Sequence, residues 1–140
     1  LEEYERTGEK ERLEMRQVVV DSSVLIDFLR REDKEETLLY QLVEKDCELK
    51  LPMIVCAEMY SGKSVWENKA VSQLIKEWLR GMDLMVMSLK ICKGAGEIRA
   101  KYGIDLIDAV IAATAKINKL PLVTLNKKHF SMIKGLKLYL

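Results

Sequence analysis

Between Asp105 and Asn118 the chain reads as a helix that is apolar nearly all the way round. Leu106, Ile107, Ala109, Val110, Ile111, Ala112, Ala113 and Ala115 leave it almost no polar face. Such a helix is buried on every side, so the rest of the chain has to enclose it. Short apolar runs spaced along the sequence can do so. Gln17–Asp21, Leu49–Val55, Leu84–Leu89 and Leu120–Leu125 read as strands, the second with Pro52 near one end, and Leu136–Tyr139 as a last short one. Between them lie helical patterns at Ser23–Arg31, Lys34–Asp46, Ala57–Ser61, Trp66–Arg80 and Lys90–Tyr102, with Gly62, Gly81 and Gly103 as stops. Strands alternating with helices predict a parallel sheet of roughly four to five strands, covered on both faces.

The buried helix opens with acids. Asp105 and Asp108 are three apart and share a face. Acids in a first turn are favoured by the helix dipole, and Asp105 also fits an N-cap, so each has a plain structural explanation. A carboxylate beside so apolar a helix is nevertheless costly unless it is paired or binds a metal, and no basic residue follows within a helical turn. Asp21 closes the apolar run Val18-Val19-Val20, at the C-terminal edge of a strand, where open α/β sheets place their ligands. Its alternative is a helix cap, a task Ser22 or Ser23 also suits. Glu58 follows the second strand in Val55-Cys56-Ala57-Glu58-Met59-Tyr60, and its alternative is a surface glutamate. Asn126 ends the strand Leu120–Leu125 and could form an Asx turn. Each residue alone is a weak signal; together they put an acid or amide at the ends of several strands or on the helix beside them. Oxygen ligands in such positions suit Mg²⁺ or Mn²⁺.

At 140 residues the chain fits one domain, and a net charge of +1 does not announce a nucleic-acid binder. Six of the 22 acids and three of the 23 bases fall in residues 1–14, leaving 20 bases against 16 acids over the remainder. Residues 1–16 read as a charged extension, helical or disordered, and 17–140 as the domain, with Met15 a candidate start. Cys47, Cys56 and Cys92 show no C-x-x-C spacing, and His129 is the single histidine. A zinc site and His-based catalysis are therefore disfavoured, and three inert thiols in a reducing cytosol are expected. No run is long and apolar enough to cross a membrane.

Val19-Val20-Asp21-Ser22-Ser23-Val24-Leu25-Ile26 resembles the opening motif of PIN domains. The segment from Gly103 to Ala115, with Asp105 and Asp108, resembles their third acidic motif, and Leu120–Phe130 the strand and turn that follow. Order and spacing resemble the VapC toxins of bacterial and archaeal toxin–antitoxin pairs. The resemblance covers roughly residues 17–140. It implies a three-layer α/β/α, Rossmann-like fold and a Mg²⁺-dependent endoribonuclease of the cytoplasm. By position it makes Asp21 and Asp108 the metal ligands and Glu58 the third acid. Asn126 falls where the family has Asp, Asn or Ser, and Asp105 where many relatives have no acid.

Lys63, Arg99, Lys127 and Lys128 are candidates to hold RNA phosphates, with solvated surface charge as their alternative. The resemblance also implies a cognate antitoxin over the acidic cleft and a homodimer built on apolar helix faces, for which Leu38, Leu42, Met59 and Trp66 are candidates. Arg6, Lys10 and Arg12 raise the further idea that residues 1–14 are a remnant of an antitoxin tail, against a simple frayed extension. Two other functions compete: a PIN-like binding module without catalysis, and a receiver-like domain for Mg²⁺-dependent aspartyl phosphotransfer.

Overall fold

A computed structural model of the chain describes residues 2–6, 8 and 16–139. Met15 and most of the candidate antitoxin remnant lie outside the described residues. Four parallel strands form one sheet in the order β3-β2-β1-β4. They are β1 (Gln17–Val20), β2 (Glu48–Pro52), β3 (Asp83–Met85) and β4 (Leu122–Val123). The flanking helices are α1 (Ser22–Arg30), α2 (Leu38–Glu44), α3 (Met53–Tyr60), α4 (Lys63–Glu67), α5 (Lys69–Gly81), α6 (Leu89–Tyr102), α7 (Leu106–Ile117) and α8 (Lys127–Phe130).

The central place of β1 agrees with its sequence. Val18, Val19 and Val20 are fully buried, as a central strand covered on both faces requires. β1 pairs with β2 from Gln17 opposite Glu48 and with β4 from Val19 opposite Leu122. The chain winds outward from β1 to β3, then crosses back through α6 and α7 to β4 on the other side of β1. The connection therefore reverses between β1 and β4, and ligands of open α/β sheets bind at such a reversal, beyond the strand C-termini.

The helix expected to be buried is buried: every residue of α7 from Ala109 to Ala115 is inaccessible or nearly so. Its alanines let α6 approach closely. A Cβ at Gly94 of α6 would come 3.0 Å from Ile117 Cδ1 and 3.5 Å from Ala113 Cβ. Gly103 ends α6 in the left-handed conformation at φ 68° and turns the chain straight into α7.

Several elements differ from expectation. The strand expected through Val55 stops at Pro52, and α3 begins at Met53. Val55, Cys56 and Met59 are the buried residues there, a helical spacing. The helix expected over 34–46 is a 3₁₀ turn (Lys34–Glu36) followed by α2. Thr37 divides them, its hydroxyl donating to Lys34 O and accepting from Tyr40 N. Asn68 similarly divides the helix expected over 66–80, its Oδ1 taking the Ala70 and Val71 N–H groups at 2.9 and 3.3 Å. β3 (three residues) keeps only Leu84 and Met85 of the Met-rich run, and Val86, Met87 and Leu89 are exposed beyond it. β4 is two residues long, and Leu136–Tyr139 adds a single parallel bridge, Leu138 to Leu122, rather than a strand. The turn expected at Asn126–Lys128 is α8 with its N-cap.

The apolar face proposed for dimerisation also changes. Leu42 and Met59 belong to the core, and Leu38 packs against it. Trp66 is exposed, with its indole N–H donating to Tyr60 O at 2.7 Å. Of the three thiols, all free, Cys56 is buried, Cys47 half-buried and Cys92 exposed. No helix among the described residues is long and apolar enough to cross a membrane.

Candidate functional site

Asp21 sits where β1 ends. Its backbone N–H still donates to Val123 O at 3.0 Å, so it remains tied to β4. It occupies the N-cap position of α1, yet its side chain makes no capping bond. Only 3% of the residue is exposed. A carboxylate so enclosed needs donors, and two hydroxyls supply them. Thr124 Oγ1 donates to Asp21 Oδ2 at 2.7 Å and Ser23 Oγ at 2.8 Å. Both hydroxyls are themselves held from behind: Ser23 Oγ accepts from Leu125 N at 3.1 Å, and Thr124 Oγ1 from Asn126 N at 3.0 Å. β1, α1 and the segment after β4 thus fix one carboxylate at the point where the sheet connection reverses. Cap chemistry does not account for Asp21; a fixed buried acid does.

Glu58 reaches the same point from α3, which packs on α1 and α7. Its Oε1 is buried and has no hydrogen-bond partner among the described residues. Burial pushes its pKa up, and the charges of Asp21, Asp108 and Asp105 push the same way, while Ser22 beside it pulls back. Asp108, half-buried in the first turn of α7, is also raised, first by burial and then by Asp21 and Asp105. His129 opposes that shift from α8, with Nδ1 3.6 Å from Asp108 Oδ2. Asp105 stands exposed at the N-cap of α7 without a side-chain capping bond. Four carboxylates from α3, α7 and the end of β1 therefore share one electrostatic environment, in which Glu58 and Asp108 feel the neighbouring acids as a cost.

Asn126 occupies the N-cap position of α8, exposed and with no capping bond from its side chain. Lys127 and Lys128 follow it on α8, exposed, and Lys63 opens α4, also exposed. Arg99 is engaged locally, its Nη1 donating to Ile104 O at 2.6 Å across the α6–α7 turn.

Three participants carried no signal in the sequence reading. Ser23 read only as a cap and Thr124 only as part of a strand, although a buried Asp at a strand end requires donors from its neighbours. His129 counted against histidine chemistry for being alone, and its place beside Asp108 depends on the short α8.

These residues fit a divalent cation. The donors are hard carboxylate oxygens, one of them buried with nothing to bond, and a cation would satisfy it and the mutual repulsion together. Among the described residues no three His, Cys, Asp or Glu side chains close into a cage. Mg²⁺ commonly uses one or two carboxylates and keeps several waters, so an open set is the arrangement it takes.

The family model described as PIN domain matches residues 18–136. Ribonuclease VapC10 of Mycobacterium tuberculosis is 33% identical over 125 residues, 86% of this chain and 90% of its own. Ribonuclease VapC1 of Methanocaldococcus jannaschii is 32% identical over 130 residues, 87% of this chain and 86% of its own. A toxin–antitoxin complex from Klebsiella pneumoniae superposes with a TM-score of 0.68 at 26% identity, covering 85% of this chain and 94% of that one. DNA-bound VapBC from Salmonella typhimurium gives 0.75 at 17% identity over 88% and 96%, a likeness of fold.

Proposed function

The chain belongs to the PIN-domain family, and from that premise we propose that it is a divalent-metal-dependent endoribonuclease, the toxin of a toxin–antitoxin pair. The observation that carries the reading is the carboxylate cluster at the β1–β4 reversal, above all the buried, unpartnered Glu58 Oε1. Stability alone gives no reason to gather Asp21, Glu58, Asp105 and Asp108 around one point; binding a cation does. The names of the VapC relatives supply the substrate class, RNA.

Asp21 and Asp108 would hold Mg²⁺ or Mn²⁺, with Glu58 as the third acid. Bound there, the metal would lower the pKa of water and neutralise charge gathering on phosphate oxygens. The chain's own work is positional. Ser23 and Thr124 both donate to Asp21 Oδ2, so neither occupies Oδ1. Glu58, whose pKa is raised, is suited to take a proton from an attacking water. His129 steadies the charge of Asp108. Asn126, anchored through its N–H to Thr124, would position the scissile phosphate, and Asp105 at the exposed rim would orient water. Lys63, Lys127 and Lys128 remain candidate phosphate contacts at the surface.

The partner would be an antitoxin, with a second copy of the chain completing the assembly. The exposed run Leu84, Val86, Met87 and Leu89, on and beyond the edge strand β3, is a surface such partners would cover. The decisive experiment is RNA cleavage in Mg²⁺ by Asp21→Asn and Asp108→Asn. Cleavage is expected to drop by a factor of ~100 or more for each, the scale of lost general-base or metal chemistry. Full cleavage by both pure variants would overturn the assignment of Asp21 and Asp108, whereas no cleavage by wild type would leave the non-catalytic binding module as the better reading.

A further inference from the structure

The sequence shows a small positive excess outside residues 1–14 without saying where it lies. Much of it gathers in one groove of about 490 Å³ between α6, α7 and the loop after α8. Lys90, Lys93 and Lys101 line it from α6, Lys116 and Lys119 from α7 and its end, and Lys134 from the loop. Glu97 is the one acid among the lining residues. Six lysines and one glutamate give this groove +5, which leaves −4 over the rest of a chain whose net charge is +1. All six lysines are exposed, and among the described residues none forms an ion pair. The floor is apolar, with Gly94, Ile98, Ala113 and Ile117. At one end Tyr102 Oη accepts from Lys134 N at 3.1 Å. That bond lowers the phenol's pKa, and Lys101, Lys116 and Lys134 lower it further, as a positive field does.

We propose that this groove anchors the phosphodiester backbone of RNA that continues beyond the acidic site, as a second contact separate from the cleavage chemistry. The inference rests on the endoribonuclease reading. Four carboxylates at the cleavage point repel a phosphate backbone until cation arrives, so affinity for RNA has to come from elsewhere. The groove and the site are joined through the chain: Tyr102, which lines the groove, ends α6, and Asp105 caps α7 three residues later. From Lys90 to Lys101 the helix rises about 16 Å, more than a single phosphate needs and suited to several nucleotides. Lysines act on phosphate as point charges without demanding one orientation, which suits sequence-independent holding of a backbone.

The test uses the full chain, a fluorescein-labelled single-stranded RNA 20-mer of mixed sequence in EDTA, and anisotropy at several salt concentrations. The comparison is between wild type, Lys93→Gln/Lys116→Gln/Lys119→Gln in the groove, and Lys45→Gln/Lys69→Gln/Lys76→Gln outside it. Each lost phosphate contact lowers the slope of log K against log salt by about 0.7, so the groove variant is expected to lose about 2 in slope. Affinity at 0.1 M salt then falls about a hundredfold if the proteins converge near 1 M. The outside variant keeps the wild-type slope. In Mg²⁺ the groove variant should cut a 20-mer less efficiently and a four-nucleotide RNA, too short to span both sites, as well as wild type does. Equal slopes for wild type and groove variant overturn the proposal. So does loss of binding by a helical Glu/Leu peptide in the groove variant with RNA slope unchanged, which would make the groove a site for an acidic protein segment. Failure of wild type to cut either RNA would instead sink the nuclease reading, and the slopes would still decide the groove.

Discussion

Thr124→Val tests whether the Asp21 carboxylate is held as the geometry states. Valine matches threonine in shape and removes only the hydroxyl, at a position 2% exposed. Two bonds go with it: the one donated to Asp21 Oδ2 at 2.7 Å and the one accepted from Asn126 N at 3.0 Å. A hydrogen bond to a charged group is worth about 1.5–3 kcal/mol and a neutral one about 0.5–1.5 kcal/mol. Water can reach the exposed Asn126 and recover part of the second, and the added methyl returns up to about 0.8 kcal/mol. The net expectation is a loss of about 2–3 kcal/mol. Urea melts at pH 7 in EDTA measure it as a fall in midpoint with unchanged slope. Thr124→Ser, which keeps the hydroxyl, should lose only about 1 kcal/mol for its buried methyl. Contacting residues couple by about 0.5–3 kcal/mol, so in an Asp21→Asn background the Thr124→Val deficit should shrink by at least about 1 kcal/mol. A deficit below about 0.5 kcal/mol in the wild-type background, or none of that coupling, would refute the claim that this hydroxyl holds the acid.

Three further outcomes follow from the same site and its surroundings. Glu58 and Asp108 have folded pKa values raised above their unfolded ones, so between those values the native state holds more protons than the unfolded state. Their contribution to metal-free stability is therefore fullest below the ordinary carboxylate range and is lost as pH rises through the raised values. Melts from pH 4 to 7.5 in EDTA should show wild type losing stability relative to Glu58→Gln as pH rises; a wild type that gains on the variant over this window contradicts it. Mn²⁺ at a hundred times its dissociation constant should stabilise the protein by about 2.7 kcal/mol, read as a melting shift that Asp108→Asn abolishes, and no shift in wild type rules out binding at these acids. Cys92 is exposed while Cys56 is buried with its thiol pushed up by desolvation. Ellman's reagent on the native protein should thus label Cys92 fast and Cys56 only on unfolding, and equal rates would contradict that burial.

What the sequence made legible and what it hid divide along a physical line. The parallel sheet, the buried α7 and the acids at strand ends were readable because each rests on a local pattern: an unbroken apolar run, an apolar helix surface, an acid at a pattern's edge. Element ends were less readable where a single side chain overrides periodicity. Thr37 and Asn68 each offer an oxygen to backbone N–H groups and restart a helix that the apolar spacing alone would carry through. Met53–Val55 is apolar enough for either strand or helix, and the helical spacing of its buried neighbours decides. The site's supporting atoms were hidden for another reason. Thr124 meets Asp21 across 103 residues of sequence, and His129 reaches Asp108 only because α8 places it there. The six lysines of the groove come from two helices and a loop, and no window of the sequence holds them together. Charge balance along the chain therefore understates its polarity in space: with acids gathered at the β1–β4 reversal and lysines along α6 and α7, a nearly neutral chain carries separate acidic and basic surfaces. A nuclease that keeps those charges apart can vary its grip on RNA without disturbing the carboxylates, which is why the groove variants and the acid variants should fail in different assays.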